Sequence, residues 1–438
     1  MFFIAVNASP WESQLFPYNV GLGKYTETAV NFNSRVWKLL DYSYTGYNLS
    51  ETPLQHNIPC NVLTVTGTGD ISQELQDKIN TVGMAGGGIV KIPAGSYTIT
   101  QTSSGKPIGI NKPNVSVEGA GSGYTFINVP ATHVYNDESN AFEGVFTFEK
   151  GSFLWNKGWV EDGTVLSNIT NTINEGDTYI TGLTNLASVN AGSWIVIQQY
   201  FWQAFSQANS NGVWTYGDPG NREYSFTYLR KVLSKDASGI TVDAPIPYTL
   251  NPANNTIYIK TSGTDRGMLE NVGISGMTIQ FEDNNNGIAP NTREGMPSGC
   301  AVYFEGVVNG WVKDVSVINF PRYGIVPEYS ARITIEDCYI KKTQDYGGGG
   351  AGYGFHINCS QNILIRRCHG EQARHNFIVS RALSHYVVMT QCVSLDAAQS
   401  EDTHFGFSHA LLRDKFYQGN GNAYNGYNRW TTSGNAYE

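Results

Sequence analysis

Arg374 and His375 in "EQARHNF" (371–377), with Asp402, His404 and His409 in "SEDTHFGFSHALLRD" (400–414), gather a guanidinium, imidazoles and a carboxylate into two short segments. An imidazole titrates near neutrality and can take or give a proton, and a guanidinium grips a carboxylate in a fork. One chemistry open to such a set is proton abstraction beside a carboxylate. Arg374 or Lys342 would neutralise the acid group, His375 or His404 would take the proton, and a further acid would assist the leaving oxygen. The other is hydrolysis, which needs two carboxylates roughly 5–10 Å apart. Asp345, Glu371, Asp396, Glu401 and Asp402 are the pool for it. Six of the eight His follow residue 355, and Lys341, Lys342, Arg366, Arg367, Arg374 and Arg381 crowd the same stretch.

What could position these groups is a repeat. "GISGMTI" (273–279), "WVKDVSV" (311–317), "TIEDCYI" (334–340), "LIRRCHG" (364–370) and "VMTQCVS" (388–394) align without gaps. One column reads Ile274, Val312, Ile335, Ile365, Met389, and three positions on another reads Met277, Val315, Cys338, Cys368, Cys392. Ala301, Gly324, Gly354 and Asn376 form a further landmark 11 to 13 residues upstream of the first column. The steps between units are 38, 23, 30 and 24 residues. A unit of that size with short strands and sharp corners predicts one coil of a parallel β-helix, in which like residues stack about 4.8 Å apart. Cys338, Cys368 and Cys392 then form an internal stack of buried thiols; disulfides are the rival reading, and zinc lacks a Cys-x-x-Cys pair.

The excess residues of the longer units fall at 282–299, at 343–352 and beyond Cys392 at 395–414, all after the second column. They predict loops on one face, walling a groove. Counted from that column, Lys341 and Glu371 share a position, as do Asn319, Lys342, Gln372 and Asp396, and then Arg322, Asp345 and His375. Such ladders read either as ion pairs in solvent or, beside long loops, as a site. Ahead of the repeats, residues 1–60 are a lead-in with a strand and loop at 39–54. Residues 61–162 are a capping helix and the first coils. The helix opens at Asp70 with an Asp-x-x-Gln box to Gln73 and buries Ile71, Leu75, Ile79 and Val82. Residues 163–250 depart from the repeat and predict a small β-barrel-like insertion, with irregular coils as the alternative, and 251–438 carry the main coils.

Composition narrows the function classes. Charged residues are 15%, glycine numbers 48 of 438, and there are 46 Phe and Tyr with nine Trp, which favours short strands and turns over helices. A net charge of −9 argues against nucleic acid as a partner. No apolar run approaches the roughly 18 residues of a membrane span. "MFFIAV" lacks the basic start of a signal peptide, so export is signalled otherwise or the chain is a processed piece.

"GGGIVKIPAGSYTI" (86–99) followed by "NKPNVSVEGAGSGYTFI" (111–127) resembles the opening coils of the pectate-lyase-like superfamily of right-handed parallel β-helix proteins. The two segments that opened this section resemble a bacterial subgroup in which an Arg-His pair precedes a final strand and a His-rich stretch follows. In that subgroup the coils continue past the point matching "GYNRWTTSGNAYE", so the resemblance implies a truncated form, whose C-terminal edge would be uncapped. The resemblance implies an all-β, right-handed parallel β-helix and a polysaccharide partner, at the cell surface or outside it. It implies cleavage in the groove, by uronate β-elimination or by glycoside hydrolysis, with elimination favoured by the basic crowding. The catalytic candidates are Arg374, His375, Asp402, His404, His409, Lys342, Asp345 and Glu371. Lys341, Arg322, Asp396, Tyr346, Trp202 and Trp214 are candidates for binding, the aromatics by stacking on sugar rings. The paired Asp motifs of polygalacturonases and the Asp-rich calcium wall of pectate lyases are missing. That keeps a non-catalytic, tailspike-like glycan binder in play and leaves a divalent cation such as calcium open as a cofactor, with no residue assigned to it.

Overall fold

The computed structural model describes residues 18–19, 24–25, 30–32, 35–37, 40–55, 57–100, 102, 108–131, 144–149, 163–210, 224–261, 268–283, 299–344, 351–399, 401–404 and 406–419. Two units divide the chain, Met1–Asp41 and Tyr42–Glu438. In the first, Tyr18–Asn19 pairs antiparallel with Lys24–Tyr25, and Val30–Phe32 with Arg35–Trp37.

The second unit is a right-handed parallel β-helix with three faces and an antiparallel insertion. The first face stacks Val62–Thr64, Gly88–Lys91, Val115–Glu118, the leading halves of Leu269–Phe281 and Val307–Phe320, then Ala331–Glu336, Gln361–Arg366, His385–Thr390 and His409–Asp414. One left-handed residue turns each later coil onto the second face: Gly276, Asp314, Asp337, Arg367 or Gln391. That face runs through Thr125–Val129, the trailing halves of the two long strands, Tyr339–Thr343, His369–Glu371 and Val393–Leu395. The third face stacks Ile108–Ile110, Gly144–Phe148, Cys300–Glu305, Tyr323–Glu328, Tyr353–Asn358, His375–Ser380 and Asp402–His404.

The register is the one the repeat predicts. Ile274, Val312, Ile335, Ile365 and Met389 are successive partners on the first face. Cys338, Cys368 and Cys392 lie inside at 2%, 1% and 0% exposure, with no disulfide among them. Each thiol reaches a carbonyl of the coil below: Val312 at 3.6 Å, Ile335 at 3.5 Å, Ile365 at 3.6 Å. A small column is required at Gly354, where an added Cβ would collide with Ile340 Cδ1 and stand 2.6 Å from the Asn376 carbonyl.

The helix Ser72–Met84 caps the open lower end, with Ile71, Leu75, Ile79 and Val82 buried against the first coils. It starts later than the capping box expects. Asp70 precedes the cap residue Ile71 and accepts from Ser72 N at 2.9 Å and from Thr100 Oγ1 at 2.5 Å; the short Asp side chain serves a turn rather than the N3 amide. Residues 42–55 also depart from expectation. They form no strand but two short 3₁₀ turns, Tyr42–Tyr44 and Tyr47–Ser50, laid as a strap across the outside of the first face. Tyr47 N donates to Thr334 Oγ1 at 2.8 Å, and Gly46 N to the Asn362 carbonyl at 2.8 Å.

The insertion is a six-stranded antiparallel barrel in the order Val165–Ile169, Ile257–Thr261, Trp194–Tyr200, Ser225–Lys235, Gly239–Val242, Tyr179–Thr181. It closes through Thr170 N to the Gly182 carbonyl (2.9 Å) and Thr184 N to the Asn168 carbonyl (3.0 Å). The barrel runs past 250, because Ile257–Thr261 fills the gap between Val165–Ile169 and Trp194–Tyr200 and pairs with both. It sits on the corner between the third and first faces, where Val196 and Leu229 pack on Tyr329, Cys359 and Leu383. Arg230, fully buried, donates to the carbonyls of Leu229, Ala244 and Pro245 and to Gln361 Oε1.

Candidate active site on the third face

Strand alternation sends Val302, Phe304, Ile325, Phe355, Ile357, Phe377 and Val379 into the core. Their neighbours point outward and stack in columns. The edge column runs Cys300, Tyr323, Tyr353, His375. Next to it stand Thr147, Tyr303, Val326, His356, Ile378 and Asp402, by the same register. The last column, beside the barrel corner, carries Glu305, Glu328, Asn358, Ser380 and His404, with Glu149 below Glu305.

The lower end of that column concentrates carboxyl groups. Burial, the Glu328 charge and the Glu149 charge raise Glu305 to about 9, and Glu305 hydrogen-bonds Glu149. A bond between two carboxyl groups needs one proton between them, so the pair holds a proton at neutral pH. Glu328 is 8% exposed and accepts at both oxygens, from Tyr303 Oη at 2.6 Å and Asn358 Nδ2 at 2.6 Å, the pattern of an ionised carboxylate.

Higher up, His356 Nε2 lies 3.1 Å from Ser380 Oγ, and burial with the Arg381, His404 and His375 charges lowers its pKa to about 3. Asp402 is 2% exposed; neither of its oxygens has a hydrogen-bond donor among the described residues, and His404 Nδ1 stands 3.4 Å from Oδ2.

The structure thus brings His375, Asp402 and His404 to one face, in three adjacent columns. Arg322 and Arg374 sit at the edge of that face, both buried, with the Arg322 guanidinium 5.5 Å from the Tyr323 ring centre. Other candidates lie elsewhere. Lys341 pairs with Glu371 at 2.5 Å and Lys342 with Asp283 at 3.2 Å, on the second face and its far corner. Asp396 is exposed at that corner and shares the left-handed turn position with Asn319, Lys342 and Gln372. His409 belongs to the next strand, on the first face. It is 3% exposed beneath the barrel, with Tyr228 Oη 3.2 Å from Nε2 and the His385 ring 5.2 Å away, because segment 395–414 turns two corners rather than forming one loop. Trp202 packs on Phe205 and Phe226 in the barrel instead of standing free for a sugar. Asp345, Tyr346 and Trp214, with most of the loops 282–299 and 343–352, lie outside the described residues. Among the described residues no group of three or more His, Cys, Asp or Glu could hold a metal ion, and no helix is long and apolar enough to cross a membrane.

Glu149, Glu305, Glu328, Tyr303 and His356 were missed by sequence reasoning. The signal was present: four residues after the landmark Ala301 and Gly324 come Glu305 and Glu328.

No family model matches the chain, and no curated protein does. Among solved structures it is similar to the tailspike protein gp49 from Pseudomonas phage LKA1, with TM-score 0.43 and 16% identity over 78% of this chain and 51% of that one. It is similar to the Gp54 tailspike of Acinetobacter baumannii bacteriophage AP22, solved with a capsular saccharide, at TM-score 0.38 and 12% identity over 81% and 56%. A polygalacturonase from Erwinia carotovora ssp. carotovora gives 0.41 and 12% over 84% and 72%. All are right-handed parallel β-helix proteins of the pectate-lyase-like superfamily. The chain spans about half the length of the tailspikes it matches.

Proposed function

We propose that the third face is the cleavage site of a polysaccharide hydrolase acting at the cell surface or outside it. The observation that carries this reading is the column Glu149, Glu305, Glu328, in which one carboxyl is held protonated beside an ionised neighbour. Glu305 delivers its proton to the glycosidic oxygen as the bond to the anomeric carbon breaks. Glu328 stands one coil away, about 4.8 Å by the spacing of paired strands. That is close to the short separation at which the second carboxylate attacks the sugar directly and configuration is retained. Water then releases the sugar, with Glu305 and Glu149 together taking up its proton.

Lys341, Lys342, Arg366 and Arg367 are engaged in ion pairs on other faces, while Arg374, His375 and His404, the groups elimination would use, stand on or beside the third face, so the test must separate the two reactions. The test is a panel of neutral and uronate-bearing polysaccharides, read for reducing ends and for the absorbance of unsaturated products. Hydrolysis is expected, with Glu305→Gln cutting kcat about 10²–10⁴-fold while binding persists. Unsaturated product would establish elimination instead. Binding without any turnover would leave a glycan-binding module.

A further inference from the structure

A groove of about 530 Å³ opens on the other side of the molecule, where the end of the strap meets the corner between the first and second faces. Pro53 and Leu54 form an apolar lip, and the buried Trp311 lies beneath the groove. Gly273 leaves room for the Trp311 indole, which is fully buried and meets the Tyr47 ring edge-on, and its Nε1 has no acceptor among the described residues. The wall is polar with charges of both signs, Glu118, Asp314 and Glu336 against Lys313 and Arg366, and one carboxylate in excess. Lys313 reaches Glu336 at 2.9 Å and Arg366 reaches it at 2.5 Å, so these charges are largely spent on one another. Hydrogen-bonding capacity nonetheless remains. Glu118 takes Gln55 Nε2 at 2.8 Å on Oε1, and Oε2 has no partner among the described residues. Ser275 Oγ, Gln55 Oε1 and Arg366 Nη1 are likewise uncommitted there.

We infer that this groove binds one or two rings of a neutral saccharide, at a site separate from the third face. Its size matches a small-ligand pocket with a few convergent polar groups. Mixed donors and acceptors suit hydroxyl groups. Three carboxylates to two cations leave one net negative charge, which disfavours an anion. Such a site would hold a polymer or a surface without cutting it.

The probes are cellotriose, maltotriose and chitotriose, with trigalacturonate as the anionic comparison, in saturation-transfer NMR and titration calorimetry on the full chain. At least one neutral trisaccharide is expected to bind. Ser275→Phe, which plugs the groove between Glu118 and Lys313, should weaken it tenfold or more, and Glu118→Gln should weaken it measurably. Glu305→Trp, which obstructs the third face, should leave it unchanged, which separates this site from the cleavage site. If Ser275→Phe fails to fold by its thermal midpoint, Glu118→Gln decides alone. The inference is overturned if no neutral probe binds, if trigalacturonate binds in preference, or if affinity falls with Glu305→Trp and not with the groove variants.

Discussion

Glu401 lies under the strand that carries His375, at 1% exposure, accepting from Phe377 N at 2.5 Å and from the Ser394 hydroxyl. Burial outweighs those two bonds and raises its pKa from the ordinary 4.5 to about 7. The native state therefore prefers the protonated form. Stability from this group is full below pH 4.5 and is lost as pH rises through 7, because above 4.5 the unfolded chain releases the proton more readily. At 1.36 kcal/mol per pH unit, the loss comes to about 3 kcal/mol. For a chain of 438 residues with an unfolding entropy near 2.1 cal/mol/K per residue, that is a shift of about 3 °C in thermal midpoint. Glu401→Gln mimics the protonated form, and its Oε1 can still accept from Phe377 N. The assay is the difference in midpoint between variant and wild type, by differential scanning calorimetry from pH 4.5 to 8. The variant should gain about 3 °C on the wild type across that range, most of it between pH 5 and 7. The difference matters because His409, lowered to about 4 by burial, moves the wild-type curve the other way as pH falls from 6.5. A flat difference would refute the reasoning, since a carboxyl that titrates alike in both states cannot be held neutral by its surroundings.

Other outcomes follow from the same structure. Cys60 is the exposed thiol, so Ellman's reagent should titrate one sulfhydryl in the native protein and all six after denaturation; fast reaction of Cys368 would contradict the internal stack. Arg230→Met strips hydrogen bonds from the carbonyls of Ala244 and Pro245 at the barrel–coil junction and should cost about 3 kcal/mol or more in denaturant titration. His409→Gln should reduce the stability lost below pH 6.5 without abolishing it, since the buried His385 and His356 rings, lowered by desolvation, share that loss; an unchanged acid limb would take His409 out of it.

The fold was legible because a solenoid writes its geometry into the sequence once per coil. The columns through Ile335 and Cys338 predict pairings that recur strand for strand, and the helix face from Ile71 to Val82 is the cap. The barrel was legible only as a lapse in the repeat. "TIYIKT" (256–261) alternates apolar and polar residues as a coil strand would, and only its two antiparallel partners tell it apart. The strap was illegible for a similar reason, since its bonds go to Thr334 and Asn362, hundreds of residues away.

The site was half legible, and the missing half has one physical cause. Titratable residues drew attention where they cluster along the chain, as at 371–377 and 400–414, yet a β-helix assembles its surface across coils, at steps of about 23 residues. Glu305 and Glu328 look isolated in the sequence and are register partners in space. His404 and His409 sit five residues apart and point to different faces. Proximity along the chain is thus a poor guide to chemistry here, whereas offset from the stacked column is a good one. The position four residues after Ala301, Gly324, Gly354 and Asn376 reads Glu305, Glu328, Asn358, Ser380, running from acidic to neutral up the helix. With the proton donor we propose on the lower coils, Glu305→Gln should cut turnover about 10²–10⁴-fold where His404→Ala only weakens it. Equal loss in both would move the chemistry to the Asp402–His404 end and give that pair the acid–base role.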